Sequence, residues 1–315
     1  MSGTRMWGQD ARVKRSDVAG RHLASGKWRA VICTVLSMLV VPAAWLPQSL
    51  AGTAATGAPA TSSSGATDET ELVLIPAGEF TMGHNSSYDT LPVRKMNLPA
   101  FYIDKYEVTN KRYKRFLDAT GYKVPRSYQE SADAAYIWDW QKRMYPEEKG
   151  DDPVVLVSWD DAKAFCAWAG KRIPTEAEWE KAARGPKGKP YPWGNDWANG
   201  KANTSESGRK QTAPVGTFKE DVSKHGEDGV YDLAGNVSEW VEEWFAPYPG
   251  NPMTSYEERN KYRVLRGGSW DYAHSIANGY HRQYALPQSQ MTAIGFRCVK
   301  AADGAGGSPP RPPTR

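Results

Sequence analysis

Two stretches of this chain hold side chains whose types and spacing suit chemistry. In residues 229–245, GVYDLAGNVSEWVEEWF, the carboxylates of Asp232 and Glu239 flank the turn-forming pair Gly235-Asn236. Gly and Asn tolerate left-handed backbone angles, so residues 233–236 are expected to turn sharply and bring both carboxylates and the intervening carbonyls towards one point. A hard cation such as Ca²⁺ binds that kind of oxygen cage. The alternative is a capped turn with no ion, framed by buried aromatic rings. In residues 269–284, SWDYAHSIANGYHRQY, the chain carries Asp271, Tyr272, His274, His281 and Arg282. Two histidines and a carboxylate are the ingredients of a facial-triad iron site. His274 and His281 nevertheless lie seven apart in a stretch without regular period, so the plainer reading is a pair of hydrogen-bonded or solvated loop histidines.

Both stretches need a frame, and the sequence punctuates one. Residues 72–75 (LVLI) read as a strand stopped by Pro76-Ala77-Gly78, with 79–82 as its hairpin partner. Residues 101–106 are strand-like. Thr109 then caps a helix whose Tyr113, Phe116 and Leu117 share a face, ending at Gly121. Residues 122–150, with Trp138 and Trp140, form a long excursion of the kind that shapes ligand pockets. A buried strand is expected at 154–157. Ser158 with Asp161 and Thr175 with Glu178 make two capping boxes, opening helices that end at Gly170 and near Gly185. A last strand at 262–265 leads into Arg266-Gly267-Gly268-Ser269-Trp270, and the domain closes on 294–298. Arg282 and Arg297 are expected to be framework residues that pair with buried carboxylates.

At 315 residues the chain is long enough for one large domain or two small ones. Its 40 basic and 36 acidic residues nearly balance, with no basic stripe interleaved with aromatics, which excludes nucleic acid as a partner class. Thirteen Trp, 16 Tyr and 29 Gly point to an aromatic-packed, loop-rich domain rather than a helical bundle. Residues 1–29 carry seven Lys/Arg against two Asp, residues 30–46 carry no charge, and Ser49-Leu50-Ala51 offers small residues for a signal peptidase. Residues 1–51 are therefore read as an export signal, with retention as a membrane anchor as the alternative. Residues 52–70 are Ala/Thr/Ser/Gly-rich and read as a flexible linker. Residues 71–302 read as one domain, and 303–315 as a Gly/Pro-rich disordered tail. The expected location is periplasmic or extracellular, with membrane attachment through the N-terminal segment as the variant.

Eight phrases occur in order: IPAGEFTMG (75–83), FYIDKYEVTN (101–110), PVVLVSWDDAKAFCAWAGKRIPTEAEWEKAARG (153–185), YPWGN (191–195), APVG (213–216), GVYDLAGNVSEW (229–240), LRGGSW (265–270) and GFRC (295–298). The chain resembles the formylglycine-generating enzyme family, also called the sulfatase-modifying factor family, over nearly all of residues 71–302. The resemblance implies an α+β, loop-rich single domain, a variant of the C-type lectin fold. It also implies a disulfide between Cys166 and Cys298, and a structural calcium held by Asp232, the carbonyls of Gly235 and Val237, and Glu239. A second family calcium site would begin at Asn203, but its acidic partner falls near Ser207, with Glu206 adjacent.

The chain departs from that family where the oxidation takes place. The family's oxidases hold copper with two cysteines that follow the serine of the GGS motif by three and eight residues. Counted from Ser269, those positions are Tyr272 and Ala277. Neither side chain supplies a thiolate for Cu(I), so the resemblance carries the fold without the copper. Ser238 also stands where the catalytic members carry Trp. Two readings follow. In the first, the protein is an exported accessory or maturation factor that binds an exported polypeptide or small ligand in a groove formed by Ser269, Trp270, Tyr272, Trp138 and Trp140. In the second, it is an oxidase using another metal or none, as in the siderophore-maturation branch, with Tyr272, His274 and His281 as candidate catalytic residues. The sequence leaves iron at that loop undecided, and a formylglycine oxidase is the least favoured reading.

Overall fold

The structure is a computed structural model, and it describes residue 68 and residues 70–126, 136–252 and 260–302. The export segment, nearly all of the linker, the C-terminal tail and residues 127–135 of the Trp138–Trp140 excursion lie outside the described residues. Linker residue Asp68 is described, and its carboxylate is held by Arg112 and Lys171.

Strand β1 (Leu72–Ile75) pairs antiparallel with β4 (Phe101–Asp104), and β4 with β11 (Val299–Ala301). Strand β2 (Gly78–Met82) pairs with β3 (Arg94–Leu98) instead of with β1. The expected β1–β2 hairpin fails at Pro76. A two-residue hairpin turn wants positive φ at its first central position, and the proline ring locks φ near −65°. The β5–β6 hairpin (Val222–His225, Asp228–Tyr231) precedes β7 (Ser238–Trp244). Strand β7 is central in a four-stranded sheet, flanked by β8 (Arg263–Arg266) and, in parallel, by β10 (Ile294–Gly295), with β9 (Gln283–Ala285) beyond β8.

Three helices follow from their caps. In α1 (Asn110–Thr120) the Thr109 hydroxyl accepts from the Arg112 N–H, and Gly121 ends the helix in the left-handed region. The capping boxes at Ser158/Asp161 and Thr175/Glu178 are both formed, opening α2 (Trp159–Trp168) and α3 (Glu176–Arg184). Residues 154–157 are buried but are not a strand. Leu156 sits at φ 59°, and the N–H groups of Val154 and Leu156 bond to Val108 and Met291 in different segments, so no ladder can propagate.

Two large clusters form the core. One packs α3 through Ala182 and Trp179 against Val73, Ile75, Phe80 and Val241. The other packs α1 and α2 through Tyr113, Phe116 and Phe165 against Trp240 and Phe296. The Cys166–Cys298 disulfide joins α2 to the segment between β10 and β11.

Candidate functional site

The turn between β6 and β7 is as sharp as its sequence requires. Asp232 and Asn236 both lie at φ 56°, and Gly235 at φ 96°. A Cβ on Gly235 would fall 2.2 Å from the Asn203 carbonyl oxygen, so the chain admits only glycine there. Asn236 does more than turn the chain. Its Nδ2 donates to Glu107 Oε2 (2.6 Å), while its Oδ1 accepts from the Ala213 N–H (2.9 Å) and from Asn203 Nδ2 (3.0 Å). The Asn203 side chain is committed to the protein, accepting from Ser207 Oγ and donating to the Gln211 carbonyl.

Around this turn four carboxylates are buried: Glu107, Asp221, Asp232 and Glu239. The buried cation among them is Arg297. Its Nε and Nη2 donate to Glu239 at 2.8 Å each, and its remaining N–H groups reach the carbonyls of Asp104, Lys105, Tyr231 and Asp232. The Trp179 indole N–H also donates to Glu239 (2.9 Å). Arg282 likewise pairs with buried Glu176 at 2.7 Å, so both arginines are the framework residues expected.

One guanidinium does not balance four acids, and the surplus shows in their proton affinities. Burial, with the Asp232 and Glu239 charges beside it, raises the Glu107 carboxyl well above the ordinary range. Burial and the neighbouring Asp232 do the same to Asp221, whose Oδ1 is buried without a hydrogen-bond partner. Asp232 is pushed up to about 7, chiefly by burial, against the Gly216 N–H and Arg297. This excess of buried negative charge is of the sign a hard cation offsets, but both Glu239 oxygens already accept from Arg297, and the orphaned oxygen belongs to Asp221 rather than to an expected ligand. Among the described residues no three His, Cys, Asp or Glu side chains group to hold a metal. A cation there would therefore need the Asp232 and Glu239 carboxylates together with main-chain oxygens.

A pH dependence follows. The folded state holds the Asp232 proton more tightly than the unfolded chain. This contribution is therefore full below the unfolded carboxylate pKa, near 4, and is lost as pH rises through about 7. In EDTA the melting temperature is expected to fall between about pH 5 and pH 8. Calcium at about a hundred times its Kd should recover roughly 5–10 °C at the upper end. A melting temperature in EDTA that climbs over this interval would show that the buried acids are compensated some other way.

The C-terminal loop separates the residues that the sequence groups together. Ser269 is fully buried, its hydroxyl donating to Asp271 (2.5 Å), so it lines no open groove. Trp138 is also core, 3% exposed and edge-on to Tyr113 and Tyr145, whereas Trp140 is 59% exposed. Assigning both tryptophans to one binding face is therefore corrected: Trp138 packs into the core just before the Asp139–Met144 bridge, and Trp140 lies in the turn that the bridge closes. Trp270 is half-buried, its indole N–H donating to the Thr292 carbonyl (3.2 Å). Tyr272 is 43% exposed, and its carbonyl accepts from the Ser205 N–H. Ala277 is buried against Gly268, where any added Cβ would lie 3.0 Å from Ala277 Cα.

The two histidines have different neighbours. His274 Nδ1 contacts Glu206 Oε1 at 2.7 Å, and its ring stacks on Trp197 at 4.9 Å. Glu206 is held down at about 2; its slight burial opposes this, but the His274 N–H and ring outweigh it. The His281 backbone N–H donates to Asn278 Oδ1, and burial lowers the pKa of its ring. Glu107 and Asp221 are not among the residues the sequence singles out, and Glu206, noted there only beside the second calcium site, is instead the partner of His274. Of the first two, Glu107 had a signal, as an acid inside the FYIDKYEVTN phrase.

Residues 58–302 match the family model of the Sulfatase-modifying factor enzyme 1-like domain. The Formylglycine-generating enzyme of Bos taurus is 33% identical over 283 residues, covering 73% of this chain and 74% of its own length. The Inactive C-alpha-formylglycine-generating enzyme 2 of Bos taurus is also 33% identical, over 76% of this chain and 89% of its own. Among solved structures, PvdO from Pseudomonas aeruginosa superposes with a TM-score of 0.62 at 30% identity, covering 75% of this chain and 96% of that one.

Proposed function

Because this chain belongs to the sulfatase-modifying factor family, we propose that it is an exported accessory or maturation factor of that family, binding a polypeptide or small ligand and carrying out no oxidation itself. One observation carries the reading. The positions of the family's copper-binding cysteines are Tyr272, half out in solvent, and Ala277, a methyl group buried against Gly268. The described cysteines, Cys166 and Cys298, are bonded to each other. No thiolate is left among the described residues to bind Cu(I).

Export is supported by the layout of residues 1–51 and by the disulfide, which suits an oxidising compartment. Structural calcium at Asp232 and Glu239, with the carbonyls of Gly235 and Val237, is supported by the surplus of buried carboxylate. The ligand face retains exposed Tyr272 and half-buried Trp270, without Ser269 and Trp138.

The test is direct. Purified protein, supplied with Cu(I) and oxygen, is incubated with a peptide carrying the sulfatase cysteine motif, and formylglycine is sought by mass spectrometry. No conversion is expected; turnover above the protein-free control would overturn the reading.

A second reading, an oxidase using another metal or none, is favoured by the His274–Glu206 pair beside Tyr272. Elemental analysis tests the metal-dependent form of that reading. Calcium without iron or copper is expected. Stoichiometric iron or copper, lost in a His274→Ala/His281→Ala variant, would make the oxidase the better account.

A further inference from the structure

The turn that leaves α3 and the edge of the β5–β6 hairpin border an open cleft of about 600 Å³. Arg184, Lys187, Lys189, Lys201, Lys219 and Lys224 line it, against one carboxylate, Glu220. Two of these cations are already balanced. Arg184 is buried and bonded to Glu180, and Lys201 pairs with Glu220 at 3.1 Å. Lys187, Lys189, Lys219 and Lys224 are exposed, and no carboxylate among the described residues lies within ion-pair contact of them, although the Lys219 charge also acts on buried Asp232.

The plain alternative is that basic residues gather here to complement the C-terminal dipole of α3. That accounts for Arg184, in the last turn of the helix. It does not account for Lys219 and Lys224, which come from a separate segment. Lysines brought by different segments to the rim of one cleft raise its positive potential and concentrate anions there. The wall is also held in shape. Arg184 Nε and Nη2 donate to the carbonyls of Lys189 and Gly188, tying the lysine-bearing turn back onto the helix end. Trp193 adds a flat apolar wall, its plane set by stacking on Tyr191 at 5.2 Å and 7°.

We propose that this cleft binds a small polyanion, a ligand carrying two or more phosphate, sulfate or carboxylate groups, with the exposed lysines as point-charge partners. The volume lies within the roughly 300–1,000 Å³ of small-ligand sites. Lysine is a point-charge phosphate binder, so its contacts favour charge over one fixed geometry. The cleft shares no lining residue with the 269–284 loop, and this assignment stands independently of the accessory reading.

Isothermal titration of the full chain with inorganic pyrophosphate and with citrate, at low salt, tests it. Saturable one-site binding is expected, weakened at least about tenfold in a Lys187→Ser/Lys189→Ser/Lys219→Ser variant, a loss of about 1.4 kcal/mol. A control Lys95→Ser/Lys300→Ser variant, which removes lysines outside the cleft, should stay within about twofold. The anion that binds more tightly distinguishes a phosphate-type from a carboxylate-type ligand. No saturable binding of either probe, or equal weakening in both variants, would overturn the site. Should the triple variant fail to fold, lysine acetylation of the wild type read by mass spectrometry decides. Pyrophosphate should protect Lys187, Lys189 and Lys219 but not Lys300, and uniform reactivity would refute the assignment.

Discussion

Replacing Arg297 with methionine is expected to destabilise the domain by about 3–5 kcal/mol, because it leaves buried carboxylates without their counter-charge. For a domain of this size that is a fall of roughly 6–20 °C in melting temperature. The guanidinium is fully buried, grips Glu239 through two N–H groups and reaches four main-chain carbonyls. Burial works against its charge, yet Glu239 and its acidic neighbours raise its pKa above the ordinary arginine value. Lysine at this position keeps a charge but not the planar fork, so Arg297→Lys should recover only part of the loss. A double-mutant cycle by chemical denaturation makes the cause testable. Adding Glu239→Gln to Arg297→Met should cost less than the sum of the single changes, since it removes one of the stranded charges. Strict additivity would mean that the two side chains stabilise the fold separately.

Removing the disulfide should have a comparable effect through the unfolded chain. Cys166 and Cys298 are 132 residues apart and fully buried, with Cα atoms 5.7 Å apart. In the chain-entropy account, closing so long a loop stabilises the folded state by about 5 kcal/mol. Cys166→Ala/Cys298→Ala is therefore expected to melt roughly 10–20 °C lower. The native protein should also resist reductant until it unfolds, because neither sulfur is exposed. Calorimetry of the oxidised protein and the double variant checks this. An unchanged melting temperature would mean that the unfolded chain is already constrained near these residues.

What was legible in the sequence was local. Ser158/Asp161 and Thr175/Glu178 announce their helices because a cap closes within three residues. The sharp turn at Asp232–Asn236 follows from residues that tolerate positive φ. That Tyr272 and Ala277, rather than cysteines, stand three and eight residues past Ser269 needs only counting, and Cys166 and Cys298 lie inside the family phrases. The family itself was legible for the same reason, since its motifs are contiguous words.

The pairings across the chain were decided by tertiary structure. Asn236 bonds to Glu107, 129 residues away, and Arg297 to Glu239, 58 away. Nothing in the local pattern marks Glu107 or Asp221 as neighbours of Asp232. Trp138 and Trp140 look alike in sequence, yet packing against Tyr113 buries one and leaves the other in solvent. Ser269 reads as a groove residue until the fold closes over it, and His274 and His281 read as a pair until Glu206 and Trp197 claim one of them. Even β2 finds its partner by packing, because Pro76 denies it the nearer strand. Short-range hydrogen bonds and backbone preferences are written in adjacent residues. Which distant charges share a dry interior depends on the summed packing of both cores, and that is settled only when the chain folds.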